Sequence, residues 1–128
     1  MMENDAFSKW MGLEVLEVRE GYSKVQMKIR EEMINGFGIV HGGLAFSLAD
    51  SAFAFACNNR NIISVALDVT ITFTKAVNVG DVLIGEAKEN HNGRNVGVYL
   101  VTITNQHNKQ VAFFKGTCFR TGKPLLKN

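Results

Sequence analysis

The sequence is poor in the features that would assign it to several common classes. Its single proline, Pro124, lies in the last residues, so nothing in the long apolar stretch at residues 44–57 breaks a helix. Its two cysteines, Cys57 and Cys118, show no CxxC spacing; with no export signal in sight they read as free thiols in a reducing cytosol. Net charge is only +2 and no basic run reaches five residues, which argues against nucleic acid as a partner. The N-terminus, MMENDAFSKW, lacks the basic region and apolar run of a secretory leader. The longest apolar stretch carries serine and aspartate and is slightly short for a membrane span. These absences together give a cytoplasmic expectation. No serine stands in a G-x-S-x-G context, the three histidines His41, His91 and His107 share no metal-type spacing, and no phosphate-loop or dinucleotide fingerprint is present. No metal or separate cofactor is therefore expected.

What is present is a globular composition, 46% apolar and 20% charged, in 128 residues. That length suits one domain with one core. The chain is organised around residues 35–58, NGFGIVHGGLAFSLADSAFAFACN. A glycine-rich approach leads through His41, Gly42 and Gly43 into a run whose only ionisable group is Asp50. A helix apolar on most of its circumference belongs inside a core. Turned at about 100° per residue, Gly43, Ser47, Asp50, Ser51, Ala54 and Asn58 fall within roughly a quarter of the circumference. The helix thus has one narrow polar or small seam, which must face a cleft, another chain, or both. A carboxylate there is costly unless something uses it or pairs with it.

In chain order, residues 5–11 read as a short helix capped by Asp5 and ended by Gly12, with Phe7, Trp10 and Met11 on one side. Residues 13–18 and 23–29 read as a hairpin turning near Glu20 and Gly21. After the central helix, Ile63, Val65, Leu67, Val69, Ile71 and Phe73 alternate with small or polar residues, which predicts a strand with one buried face. Residues 79–81 read as a turn, 82–90 as a strand, Asn92-Gly93 as a hairpin signal, 96–104 as a strand, 105–109 as a loop and 110–120 as the last strand. Residues 121–128 read as a loose tail. An antiparallel sheet wrapped round one apolar helix is an α+β architecture.

The segment at residues 35–58 resembles the signature of the hotdog-fold acyl-CoA thioesterases, and most closely the PaaI-type branch associated with phenylacetic acid degradation. The resemblance runs from about Phe7 to Arg120. It implies a single hotdog domain over residues 1–128 that hydrolyses an acyl-CoA, phenylacetyl-CoA or a related aryl or medium acyl thioester, to the free acid and coenzyme A.

Thioester hydrolysis needs donors where negative charge grows on the carbonyl oxygen, and a base or nucleophile near the carbonyl carbon. Gly42 and Gly43 stand at a helix start, where N–H groups lack intrahelical partners and the dipole favours an anion. By the resemblance, the Gly42 N–H polarises the carbonyl and Asp50 is the catalytic carboxylate, as base or as nucleophile. Asn35 then orients water or thioester, and His41 has a supporting role at the helix start. Gly43, Ser51 and Ala54 are expected to line the substrate site. Lys75, Arg94 and Arg120 are candidate contacts for the phosphates of coenzyme A.

Two departures from the relatives stand out. Many place Thr or Ser where this chain has Ala66, with Asp68 or Thr70 as partial substitutes. Many carry Arg-Pro where it has Lys75-Ala76.

Gly42 and Asp50 are eight residues apart, about 12 Å along one helix. They cannot reach the same reacting atoms from one chain. Gly42, His41 and Asn35 of one subunit are therefore expected to face Asp50 of another, in a two-fold homodimer at least and in a homotetramer by resemblance. The competing expectation is a non-catalytic acyl-CoA sensor or carrier using the same cleft. A hydratase would need an acid–base pair that Asp50 alone does not supply.

Overall fold

A computed structural model describes residues 6–34, 42–58 and 62–124. Asp5, Asn35 and His41 lie outside the described residues. The elements in chain order are α1 (Ala6–Met11), β1 (Glu14–Arg19), β2 (Tyr22–Lys28), a short 3-10 turn (Glu31–Met33), α2 (Gly42–Cys57), β3 (Ile62–Phe73), β4 (Val82–Asn92), β5 (Val96–Thr104) and β6 (Gln110–Pro124). The strands form one antiparallel sheet in the order β1-β2-β4-β5-β6-β3. Among the described residues, the one element that sequence periodicity does not suggest is the turn at Glu31–Met33, which is too short to show a period.

Helix α2 lies across one face of the sheet, mainly against β2, β4 and β5. Leu44, Ala45, Leu48, Ala49, Ala52, Phe53, Ala56 and Cys57 are buried. The arc that angular spacing selects lies on the remaining side: Gly43, Ser47, Ser51, Ala54 and Asn58 are half-buried and Asp50 is exposed, with half-buried Phe46 and Phe55 flanking them. Small residues let the helix sit close to the strands. Ser23 Oγ donates to the Ala52 carbonyl at 2.6 Å, and Phe53 packs in tilted contact with Tyr99 and Phe114, ring centroids 5.8 Å apart in each case. Gly116 makes room for it; a Cβ there would stand 2.9 Å from the Phe53 ring. Phe46 and Phe55 pack against the same core.

Strand β3 does not have the single buried face that its alternation predicts. Its register against β6 slips between Ala66 and Asp68, so Leu67 is an extra residue, a β-bulge. Before the bulge Ala66 pairs with buried Cys118, on the helix side, and Val65 pairs with exposed Phe119 on the outer side. After it Val69 and Ile71 pair with buried Gly116 and Phe114, and the odd positions face the helix. An uninterrupted period of two in sequence thus crosses from one face to the other. β3 is also an edge strand that α2 scarcely covers. Val65, Leu67 and Phe73 accordingly remain 47%, 59% and 54% exposed.

The ends of elements follow local chemistry. Gly12, at φ +70°, closes α1: its N–H donates to the Lys9 carbonyl at 3.1 Å and the Leu13 N–H to the Ser8 carbonyl at 3.1 Å, the paired bonds of a Schellman stop. In α1 Ser8 and Met11 are buried, while Phe7 and Trp10 stack on each other at the surface. Asn58 ends α2: its Nδ2 donates to the Ala54 carbonyl at 3.0 Å and its Oδ1 accepts from the Ser64 N–H at 2.8 Å, tying helix to strand. The expected loose tail is corrected over residues 121–124. β6 continues to Pro124 because β3 is long enough to pair with it, and Thr121 Oγ1 donates to the Ile63 carbonyl at 2.8 Å.

Candidate active site

Gly42 is the first residue of α2 and Gly43 the second. The first amide groups of a helix have no intrahelical acceptor, and the dipole adds partial positive charge there. Gly42 is exposed. The ring of Phe73, at the end of β3, lies against it: a Cβ on Gly42 would stand 3.3 Å from the ring Cζ.

Asp50 is the only charged residue of α2. It sits on the open side of the helix. Even so, burial of the carboxyl among the surrounding residues raises its pKa above the ordinary 3.8. A carboxylate so placed is more basic than one in water. Ser51 and Ala54 line the same seam, one and four residues further on. Gly42 and Asp50 belong to a single uninterrupted helix, so the separation of about 12 Å between donor and carboxylate stands within one chain.

The candidate phosphate contacts do not converge within one chain. Lys75 is exposed just past β3, near Phe73 and hence near the start of α2. Arg94 is exposed in the β4–β5 turn, and Arg120 lies beside it. Phe73 pairs with Ala112, eight residues along β6 from Arg120, a span of about 26 Å at strand rise. The Arg120 guanidinium is also engaged: Nη2 donates to Asn92 Oδ1 at 2.6 Å and to Tyr99 Oη at 3.3 Å, and Nε donates to the Gly93 carbonyl at 3.3 Å. The Tyr99 hydroxyl in turn donates to Glu89 Oε2 at 3.0 Å. Arg120 thus locks the β4–β5 hairpin onto β6. Asp68 and Thr70 pair with Thr117 and Lys115, on the sheet face away from α2, so they do not replace a hydroxyl at Ala66, which faces the helix.

Sequence reasoning placed Phe73 in the core and did not connect it to the site. The signal available was its position as the last apolar residue of β3; its contact with Gly42 depends on tertiary packing. Among the described residues, no group of three or more His, Cys, Asp or Glu side chains is arranged to hold a metal ion.

Known proteins carry the same frame. The family model of the Thioesterase superfamily matches residues 37–112, which span Gly42 and Asp50. The chain belongs to that superfamily. As a member it is a thioester hydrolase with a hotdog fold. It is 43% identical over 122 residues to the acyl-coenzyme A thioesterase PaaI of Escherichia coli, covering 95% of this chain and 87% of that protein. The structure of the E. coli PaaI protein from the phenylacetic acid degradation operon superposes with a TM-score of 0.93 at 42% identity, covering 97% of this chain and 90% of that one. A hypothetical thioesterase of Streptococcus pneumoniae, solved with coenzyme A, gives a TM-score of 0.88 at 31% identity, with 95% of each chain covered. Among the described residues, no helix of this superfamily member is long and apolar enough to cross a membrane.

Proposed function

We propose that this thioesterase hydrolyses acyl-CoA to free acid and coenzyme A, with the Gly42 N–H stabilising the oxyanion and Asp50 of a second subunit acting as base or nucleophile. The observation that carries the proposal is the pairing of an exposed helix-start glycine with a single seam carboxylate of raised pKa. One backbone donor of this kind is worth roughly 3 kcal/mol in the transition state. Asp50 either takes a proton from the attacking water or attacks the carbonyl itself to give a mixed anhydride that water then cleaves. In both routes coenzyme A leaves as its thiolate. Gly43, Ser51 and Ala54 lie where the acyl group would pass, and Lys75 and Arg94 are the cations free of the hairpin lock for the phosphates of the substrate. Asn35 and His41 keep their proposed roles, as orienting and supporting residues.

A two-fold dimer supplies the missing half of each site. β3 is a long edge strand paired on one side only, with Val65 and Leu67 exposed on it. Such an edge is a template for pairing with another strand. A second copy paired antiparallel to it would bring the partner's α2 alongside, running in the opposite direction. A dimer of such dimers, cytoplasmic and without a cofactor beyond the coenzyme A of its substrate, completes the reading.

The E. coli relative's operon points to phenylacetyl-CoA as the first substrate to try. The test is steady-state turnover of phenylacetyl-CoA and an acetyl-to-decanoyl series by wild type and Asp50→Asn. Wild type should turn over at least one aryl or medium acyl thioester, and the variant should lose roughly a hundredfold or more in kcat. Binding without turnover by wild type would move the protein to the carrier reading; equal turnover by the variant would remove Asp50 from the chemistry.

A further inference from the structure

Phe73 is an exposed aromatic residue with an uncommon neighbour. Scattered exposed phenylalanines need no explanation, but this ring lies against the start of α2. Its outer atoms Cζ, Cε1 and Cε2 lie 3.3, 3.6 and 3.8 Å from where a Cβ on Gly42 would stand. Its backbone is held at the end of β3: the Thr74 and Lys75 N–H groups both donate to the Val111 carbonyl, at 2.9 and 3.3 Å, and Thr74 Oγ1 donates to the Gln110 carbonyl at 3.1 Å. The rest of the ring is open, with 54% of the residue exposed. One edge of the apolar ring therefore lies against the glycine that starts α2, and in the single chain its other side is exposed.

We infer that Phe73 is a substrate-contacting wall of the thioester site, which holds the thioester group and the carbons adjoining it against the Gly42 amide and keeps water from that amide as charge develops. The inference rests on the proposed thioesterase reading. Glycine at position 42 lets the ring approach this closely, because a Cβ there would press it back by a few tenths of an ångström. The inference requires a contact common to all acyl-CoA substrates, because it is made at the thioester and not at the acyl tail. A hydrogen bond to an oxyanion is stronger when water is excluded from it, so the contribution appears in kcat more than in KM.

The test compares Phe73→Ala, Phe73→Leu and wild type on acetyl-, hexanoyl- and phenylacetyl-CoA, with Asp50→Asn in the same assay and with melting temperature and sedimentation measured for each. The expected result is a loss of about tenfold in kcat on every substrate for Phe73→Ala, largely restored in Phe73→Leu, with melting temperature and oligomeric state unchanged. An active wild type with an inactive Asp50→Asn and a fully active Phe73→Ala overturns the inference and leaves the thioesterase reading intact. A loss confined to KM, or one that tracks subunit dissociation, also overturns it; in the second case Phe73 is an interface residue. A wild type that turns over no acyl-CoA overturns both.

Discussion

Two inactive variants of this chain should restore activity to each other when they share a dimer. The first is Gly42→Pro. Proline is tolerated at the first position of a helix, where the N–H has no intrahelical partner and φ already suits the ring. The substitution therefore deletes the proposed oxyanion donor with little damage to α2. Its Cβ would stand 3.3 Å from the Phe73 ring, which must give by a few tenths of an ångström. The second is Asp50→Asn. Each homodimer should lose roughly a hundredfold or more. The eight-residue separation on one helix places donor and carboxylate about 12 Å apart in one chain, so each site must take Gly42 from one subunit and Asp50 from the other. A mixed dimer then has both defects in one site and neither in the second. Random re-pairing of equal amounts makes about half the dimers mixed, each with one intact site, and returns about one quarter of wild-type activity. Differently tagged chains, co-expressed and purified over both tags, should give mixed dimers with about half the wild-type rate per dimer, followed as free thiol released from the thioester. Folded mixed dimers without activity would place Gly42 and Asp50 in service of the same subunit and refute the reasoning.

The remaining predictions concern acid–base behaviour and packing. Because burial raises the Asp50 pKa above 3.8, the acid limb of the kcat/KM profile should fall at a pH above that value. The same shift means the charged form weakens the fold: a contribution present at low pH is lost as pH rises through the raised pKa. Asp50→Asn should therefore melt no lower than wild type at neutral pH while losing turnover; a clear fall in melting temperature would contradict this. Asp81 has the opposite sign. Its carboxylate accepts from the Asn78 N–H at 2.9 Å and from Gln106 Nε2 at 2.8 Å, and these bonds lower its pKa below 3.8. Its stabilisation is present above the ordinary value and is lost as pH falls through the lowered one. Asp81→Ala should cost about 2 kcal/mol in denaturant melts at neutral pH and less in strong acid. Gly116→Ala would drive a methyl group to 2.9 Å from the Phe53 ring and 3.0 Å from Phe114, and should destabilise the fold by about 1–3 kcal/mol. An unchanged urea midpoint would show that Phe53 can move aside.

Periodicity and punctuation determined much of the fold. The seam of α2 followed from its angular spacing alone, because a helix turns by a fixed angle and cannot hide a polar stripe among apolar ones. The hairpin turns and Gly12 followed from backbone preferences that act within a few residues. Gly42 and Asp50 were legible for the same local reason: one begins a helix and the other is the only charge on it. Tertiary structure decided the rest. The β3 alternation is strict in sequence, yet the bulge at Leu67 sends its two halves to opposite faces, because a bulge is set by pairing with β6 and leaves no mark on a period of two. Arg120 was one cation among several until the fold brought Asn92, Gly93 and Tyr99 to its guanidinium. Phe73 and Gly42 are 31 positions apart, and only the return of β3 across the start of α2 puts ring against glycine. Short-range geometry is written into residue order, whereas the choice of which face meets which neighbour depends on packing energies summed over the whole chain.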